Sequence, residues 1–283
     1  MSGDGSRLER GQVAASEFNA GASVHAEDRP AIKVRGLRTQ FGTDIIHDNL
    51  DLDLERGEIL GVVGGSGTGK SVLMRAIIGL KRPSRGTVEV FEQDFYAANE
   101  AERLDIERRW GVLFQGGALF SSLTVAQNVM APMREHLDLP EALAQDIAAM
   151  KISMSGLPPE AGDKYPSELS GGMRKRAGLA RALALDPDIV FLDEPTAGLD
   201  PIGAAAFDNL IVDLKNSLGI TVFMITHDLD SLYAACDRIA VLSDKQVIVT
   251  GPLEDVASTD HDWIQEYFAG PRGREAKGSF ERR

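Results

Sequence analysis

The octapeptide Gly64-Gly65-Ser66-Gly67-Thr68-Gly69-Lys70-Ser71 has the spacing G-x-x-x-x-G-K-[ST]. It follows the apolar run Ile59–Val63, of the kind buried in a parallel sheet, and precedes residues 72–80, helical in composition. Strand, glycine loop and helix in that order make a phosphate cradle. Glycines let successive backbone N–H groups curl around phosphate oxygens. The following helix, opening at Ser71 and Val72, turns its positive N-terminal end toward the anion. Lys70 is long enough to reach terminal phosphates, and the Ser71 hydroxyl suits Mg²⁺.

Outward from this loop the chain alternates short apolar runs with helix-like stretches. Residues 45–54 alternate like a strand with one wet face, and 88–91, 112–114, 189–192, 221–225, 239–242 and 246–249 read as further strands. Helices are expected over 171–185 and 204–214. Residues 125–154, rich in Ala, Leu, Met and Glu, read as two or more helices, and the Pro- and Gly-containing stretch 157–165 breaks them. The pattern is α/β with an all-helical insertion. Residues 1–30 lack periodicity and read as a loosely held tail.

Composition narrows the function. The chain has 283 residues, 43% of them apolar, and a net charge of −13, which opposes nucleic-acid binding through bulk charge. The basic run 174–176 therefore reads as a solvated helix face. The single cysteine, Cys236, excludes an internal disulfide framework and reads as buried filler. No apolar run approaches the ~18–20 residues that span a bilayer, so any membrane role is expected to go through a partner. Met130, Met133, Met150 and Met154 are expected to pack the core of the helical insertion.

Two strand ends carry chemistry. The run 189–192 ends in Asp193-Glu194, where ligands collect in open α/β sheets. Asp193 suits Mg²⁺ through water, and Glu194 can orient or deprotonate an attacking water. The run 221–225 ends in Thr226-His227-Asp228, and His227 there can bond a terminal phosphate or that water.

Leu169-Ser170-Gly171-Gly172-Met173, the run Leu192-Asp193-Glu194-Pro195-Thr196 and Ala197-Gly198-Leu199-Asp200 complete a set that resembles the nucleotide-binding subunit of an ABC transporter over about residues 32–250. The resemblance implies a P-loop NTPase of the ABC type: an ATPase core, a helical subdomain inserted at about 116–168, and an antiparallel β subdomain. It also implies ATP and Mg²⁺, and assigns Phe41 to stacking on adenine, where a ring face suffices although tyrosine is commoner. Gln115 is implied to sense Mg²⁺ and water, and Asp200 to sit at a dimer seam. Ser170, Gly171 and Gly172 are implied to bind the γ-phosphate held by a second copy of the chain, in a head-to-tail sandwich of two ATPs. Ser170 also suits a plain helix N-cap.

A narrower similarity lies in Gly116-Gly117-Ala118-Leu119-Phe120, Thr124-Val125-Ala126-Gln127-Asn128-Val129 and Pro132-Met133-Arg134-Glu135-His136. With residues 66–73 these resemble the ATPases of the Mla/Mce phospholipid transport systems of Gram-negative bacteria. That implies an integral membrane permease dimer, an MCE-domain protein and a STAS-domain protein as partners, no nucleic acid, and a place on the cytoplasmic face of the inner membrane. The alternatives are the ATPase of another ABC importer or a non-transport ABC ATPase of the Fe–S assembly type. On this reading residues 31–258 form the ATPase domain and 259–283 a C-terminal extension. In that extension Asp262 is expected to cap a helix, with Trp263, Ile264, Tyr267 and Phe268 clustered on it. Either the chain's own domain or a neighbouring subunit must cover them.

Overall fold

The computed structural model describes residues 29–270 together with Gly273, Ala276 and Gly278. Apart from Arg29 and Pro30, the expected N-terminal tail lies outside the described residues. The chain runs β1 (Ile32–Phe41), β2 (Asp44–Leu54), β3 (Ile59–Val63), α1 (Lys70–Ile77), β4 (Arg85–Val90), β5 (Gln93–Asp94), α2 (Glu100–Glu107) and β6 (Trp110–Leu113). It continues with α3 (Val125–His136), α4 (Glu141–Met154), α5 (Gly171–Ala182), β7 (Ile189–Asp193), α6 (Pro201–Leu218) and β8 (Thr221–Ile225). The last elements are α7 (Leu229–Ala235), β9 (Arg238–Ser243), β10 (Gln246–Gly251), α8 (Leu253–Ala257) and α9 (Asp262–Ala269).

Two sheets result. One is antiparallel, in the order β2-β1-β4-β5; the other runs β10-β9-β3-β8-β7-β6, with only the edge strand β10 antiparallel to its neighbour. Every residue of β3, β7 and β8 is buried, because helices cover both faces of the central sheet. The first core joins the sheets through α1; the second packs α5 and α6 beneath β7 and β8. A third core belongs to the helical insertion and continues through Leu169 into Ala177, Ala180 and Ala184.

Several expectations shift. Helix α1 stops at Ile77, and Leu80 is 64% exposed, because the chain turns out at Gly79, whose φ of +82° brings it against the Phe95 ring. Helix α6 is longer than expected. Asp200 caps its start by accepting from the Gly203 N–H at 2.9 Å, and Gly219 ends it at φ +68°. Helix α2 buries only Ile106, so it lacks the apolar stripe that periodicity detects. Met130 and Met133 are buried in the insertion core, but Met150 is half exposed on the outer face of α4, and Met154 packs on the second core instead. The Cys236 sulfur fills the space over Gly61, and burial pushes its thiol pKa up.

The basic run 174–176 is a solvated face only in part: Arg174 is exposed, Arg176 half-buried and Lys175 buried. Lys175 is buried with its ammonium donating to the Glu194 carbonyl at 2.8 Å, and Arg174 and Arg176 donate to the Leu169 and Ser155 carbonyls. The hydrogen bonds of these cations are intramolecular, to backbone oxygens. In α9, Ile264 and Phe268 sink among Val63, Leu229, Leu232, Ile239, Val241 and Val256, so the chain's own domain covers that face. His261, not Asp262, is the N-cap; Asp262 is the first helical residue, placing its carboxylate in the first turn.

Candidate functional site

Parallel pairing puts the C-terminal ends of β3, β8, β7 and β6 on one edge of the sheet. Val62 pairs with Ile225, Ile225 with Asp193, and Leu192 with Leu113. The phosphate loop, Thr226-His227, Asp193-Glu194 and Gln115 therefore leave the sheet side by side, at the edge where open α/β sheets hold ligands.

The phosphate loop is built by its glycines. Gly64, Gly67 and Gly69 have φ of +156°, +81° and +98°. A Cβ on Gly69 would fall 2.5 Å from Ile46 and 2.6 Å from the His47 ring, and one on Gly64 2.3 Å from the Leu242 carbonyl. The loop is thus pressed against the antiparallel sheet on one side and β9 on the other. Thr68 closes it by donating to the Gly65 carbonyl at 2.9 Å; Gly65 and Ser66 lie in the loop and Val72 in the first turn of α1. Lys70 folds back to donate to the Gly64 and Gly65 carbonyls at 2.8 and 3.0 Å. Burial lowers its pKa, opposed by the nearby charges of Glu194 and Asp193.

Ser71 donates to Asp193 at 3.3 Å. Burial pushes the Asp193 carboxyl pKa up, an effect that the Ser71 bond opposes. A hydroxyl and a desolvated carboxylate beside a phosphate cradle fit Mg²⁺, which favours oxygen ligands and keeps several waters. Among the described residues no group of three or more His, Cys, Asp or Glu can hold a metal, so such an ion would draw its other ligands from phosphate and water.

Glu194 stands just past β7 with φ +52°, a conformation costly to a residue with a Cβ and concentrated at functional sites. It is held there by its N–H to the Ile225 carbonyl at 2.9 Å and by Lys175 at its own carbonyl. The carboxylate meets the His227 ring, Oε2 to Nδ1 at 2.8 Å. The imidazole is largely exposed and the carboxylate largely covered, so the pair points one wet group and one dry group at the same edge. A cleft of about 450 Å³ opens beside them, with Thr196, Gly198, Leu229 and Ala276 in its walls.

Other expected residues stand apart from these. Gln115 is exposed in the turn after β6 and hydrogen-bonds none of the described residues. Ser170 caps α5 by accepting from the Met173 N–H at 3.2 Å. A Cβ on Gly171 would meet nothing within 4 Å, and one on Gly172 would touch Leu199, beside the exposed Asp200. Phe41 ends β1 with its ring half exposed and the Lys81 ammonium 4.1 Å above it.

Three contributors escape sequence reasoning. Lys175 sits in a basic run that reads as surface. His47 lies in a strand, buried under Gly69, with Nδ1 2.8 Å from the Thr39 hydroxyl; burial lowers its pKa to about 4. Tyr267 lies 40 residues beyond His227 yet donates its hydroxyl to the His227 carbonyl at 3.0 Å. No local spacing announces such contacts; for Tyr267 the one available signal was the aromatic cluster itself.

Comparison with known proteins agrees with this geometry. The family model described as ABC transporter matches residues 47–197. A "Probable ribonucleotide transport ATP-binding protein mkl" of Mycobacterium leprae is 40% identical over 244 residues, covering 86% of this chain and 70% of that protein. The "Intermembrane phospholipid transport system ATP-binding protein MlaF" of Haemophilus influenzae is 37% identical, covering 84% and 90%, and that of Escherichia coli K12 is 35% identical, covering 84% and 88%. Among solved structures, the dimeric post-hydrolysis state of the cassette MJ0796 bound to ADP and Pi matches at TM-score 0.72 and 28% identity, covering 78% of this chain and 98% of that one. The cbiO1 subunit from Clostridium perfringens matches at TM-score 0.74 and 28% identity, covering 90% and 97%.

Proposed function

The chain belongs to the ABC transporter family, and from that premise we propose that it hydrolyses ATP at a site it shares with a second copy of itself, to drive phospholipid transport. ATP hydrolysis is the characteristic reaction of this family. The observation that carries the reading is the shared sheet edge, where the phosphate loop, Ser71–Asp193 and Glu194–His227 stand together.

The residues divide the work. Lys70 exchanges its two carbonyl partners for terminal phosphate oxygens. Backbone N–H groups of residues 65–71 hold the remaining phosphate charge. Ser71, Asp193 and Gln115 would hold Mg²⁺, which would offset charge on the phosphates. Glu194 orients the attacking water and accepts its proton, and His227 fixes the carboxylate through Nδ1. Phe41 stacks on the base. Ser170, Gly171 and Gly172 close over the phosphates of the opposite copy with Asp200 at the seam, a reading supported by the open space that Gly171 meets among the described residues.

Cargo is decided by partners that dock on this chain. The relatives divide between ribonucleotide and phospholipid transport, and we assign the chain to the phospholipid group. The MlaF proteins match nearly end to end, and the run 116–136 resembles the same system. A permease dimer, an MCE-domain protein and a STAS-domain protein are the proposed partners, at the cytoplasmic face of the inner membrane. Among the described residues no helix is long and apolar enough to cross a membrane, so attachment goes through the permease. The proposed division places the ATPase domain at 31–258, the helical subdomain at about 116–168 and the extension at 259–283. The test is co-purification of the tagged chain from solubilised membranes with mass spectrometry of bound proteins and lipids. A permease with MCE-domain protein and phospholipid supports the assignment; a permease without either overturns it in favour of another importer.

A further inference from the structure

Helix α9 has two sides with different work. Ile264 and Phe268 bury one side of it in its own domain. Trp263 and Tyr267, one turn apart on the flank, are only partly buried, yet their rings stack with centroids 4.7 Å apart and planes 15° apart. Each ring ends on a different loop of the hydrolytic site. The Trp263 indole nitrogen lies 3.5 Å from where a Cβ on Gly65 would stand, against the phosphate loop. The Tyr267 hydroxyl donates to the His227 carbonyl at 3.0 Å.

His227 needs such a tether. It lies two residues beyond Ile225, the last ladder residue of β8, and its ring is 69% exposed with Glu194 as its side-chain partner. Within its own loop, the Thr226 hydroxyl accepts from the Asp228 N–H, which turns the chain but leaves the His227 carbonyl free for a donor from outside. Tyr267 supplies that donor. We propose that Trp263 and Tyr267 form a positioning pair that couples the phosphate loop to His227, so that the imidazole meets Glu194 only while the stack is in register. Neither residue touches the reacting atoms; both act through His227 and Gly65. The inference rests on His227 serving hydrolysis as proposed above.

The test uses the full chain and its steady-state and single-turnover ATPase rates. Tyr267→Phe keeps the ring and the stack but removes one hydrogen bond. With a bond worth about 1 kcal/mol, kcat is expected to fall about 5-fold. KM for ATP should stay within about 2-fold, because Lys70 and the loop are untouched. In a His227→Ala background the same substitution should cost nothing further, since the group being positioned is gone. Trp263→Ala should lower kcat and also raise KM, because it uncovers the phosphate loop, and Trp263→Phe should restore most of both. Unchanged kcat in Tyr267→Phe, with His227→Ala strongly impaired, overturns the inference and leaves the site reading intact. An equal loss in both backgrounds also overturns it, because that is what a general structural effect produces. Full turnover in His227→Ala would remove the site reading, and this inference with it.

Discussion

The chain has two glycine-rich elements at helix starts, and they are built in opposite ways. The loop at 64–71 is closed. Gly64 and Gly69 are wedged against Leu242, Ile46 and His47, while Gly67 meets open space and serves through its φ of +81°. The lysine is satisfied by the loop's own carbonyls, and Asp193 and Glu194 stand beside it. The loop at 170–172 is open, with an exposed capping serine and a glycine whose missing Cβ would meet nothing. Both stand at helix starts with a cation nearby, but Asp193 and Glu194 stand beside the first. Packing demands glycine at positions 64 and 69, and nothing among the described residues crowds Gly171. On the proposed function, the open element of one copy is the wall that the phosphate site of the other lacks.

The largest effects should come from the closed element. Glu194→Gln is expected to retain ATP binding while hydrolysis falls by about 10²–10³-fold or more, because only the transition state loses its proton acceptor. Lys70→Ala should weaken binding itself, read by titration with a fluorescent ATP analogue. Near-normal turnover in Glu194→Gln would remove that residue from its role.

Substituting the glycines sharpens the contrast. Gly69→Ala combines a left-handed φ with contacts of 2.5–2.6 Å and should cost about 3 kcal/mol or more in denaturant unfolding. Gly171→Ala, in open space at a helix start, should leave stability within about 1 kcal/mol and still reduce hydrolysis. Equal stability losses at the two positions would erase the distinction between them.

A smaller effect probes the floor of the closed loop. His47 is held neutral by burial, with its pKa near 4 against an ordinary 6.5. A depressed pKa means that stability is full above 6.5 and is lost as pH falls toward 4, by at most about 3 kcal/mol. Asp208, whose pKa burial raises to about 7, titrates in the opposite sense over the same range. The comparison must therefore be with His47→Gln, in which the Asp208 contribution is common to both proteins. The stability advantage of the parent over His47→Gln should shrink between pH 7 and pH 4. An advantage that stays constant would mean that the imidazole is not held neutral.

Much of this was legible in the sequence, for a physical reason. Strands buried on both faces must be short and wholly apolar, so Ile59–Val63 and Thr221–Ile225 show themselves, and the chemistry of a parallel sheet collects at the next one or two residues. Asp193, Glu194 and His227 were found that way. Contacts closed by tertiary packing were not. Lys175 looks like any basic residue on a helix until α5 lies against the Glu194 turn. Leu80 continues an apolar pattern that Gly79 cuts off against Phe95. The aromatic cluster at 263–268 was visible, but which face was buried and which faced the site depended on where α9 docks.

If the open element of one copy completes the closed element of another, ATP and Mg²⁺ should assemble Glu194→Gln, as read by sedimentation velocity. The expected result is a monomer without ATP, a dimer with it, and a return to monomer when Ser170→Arg is added, with ATP still bound by each chain. A dimer that persists through Ser170→Arg, or that forms equally well without ATP, would contradict it.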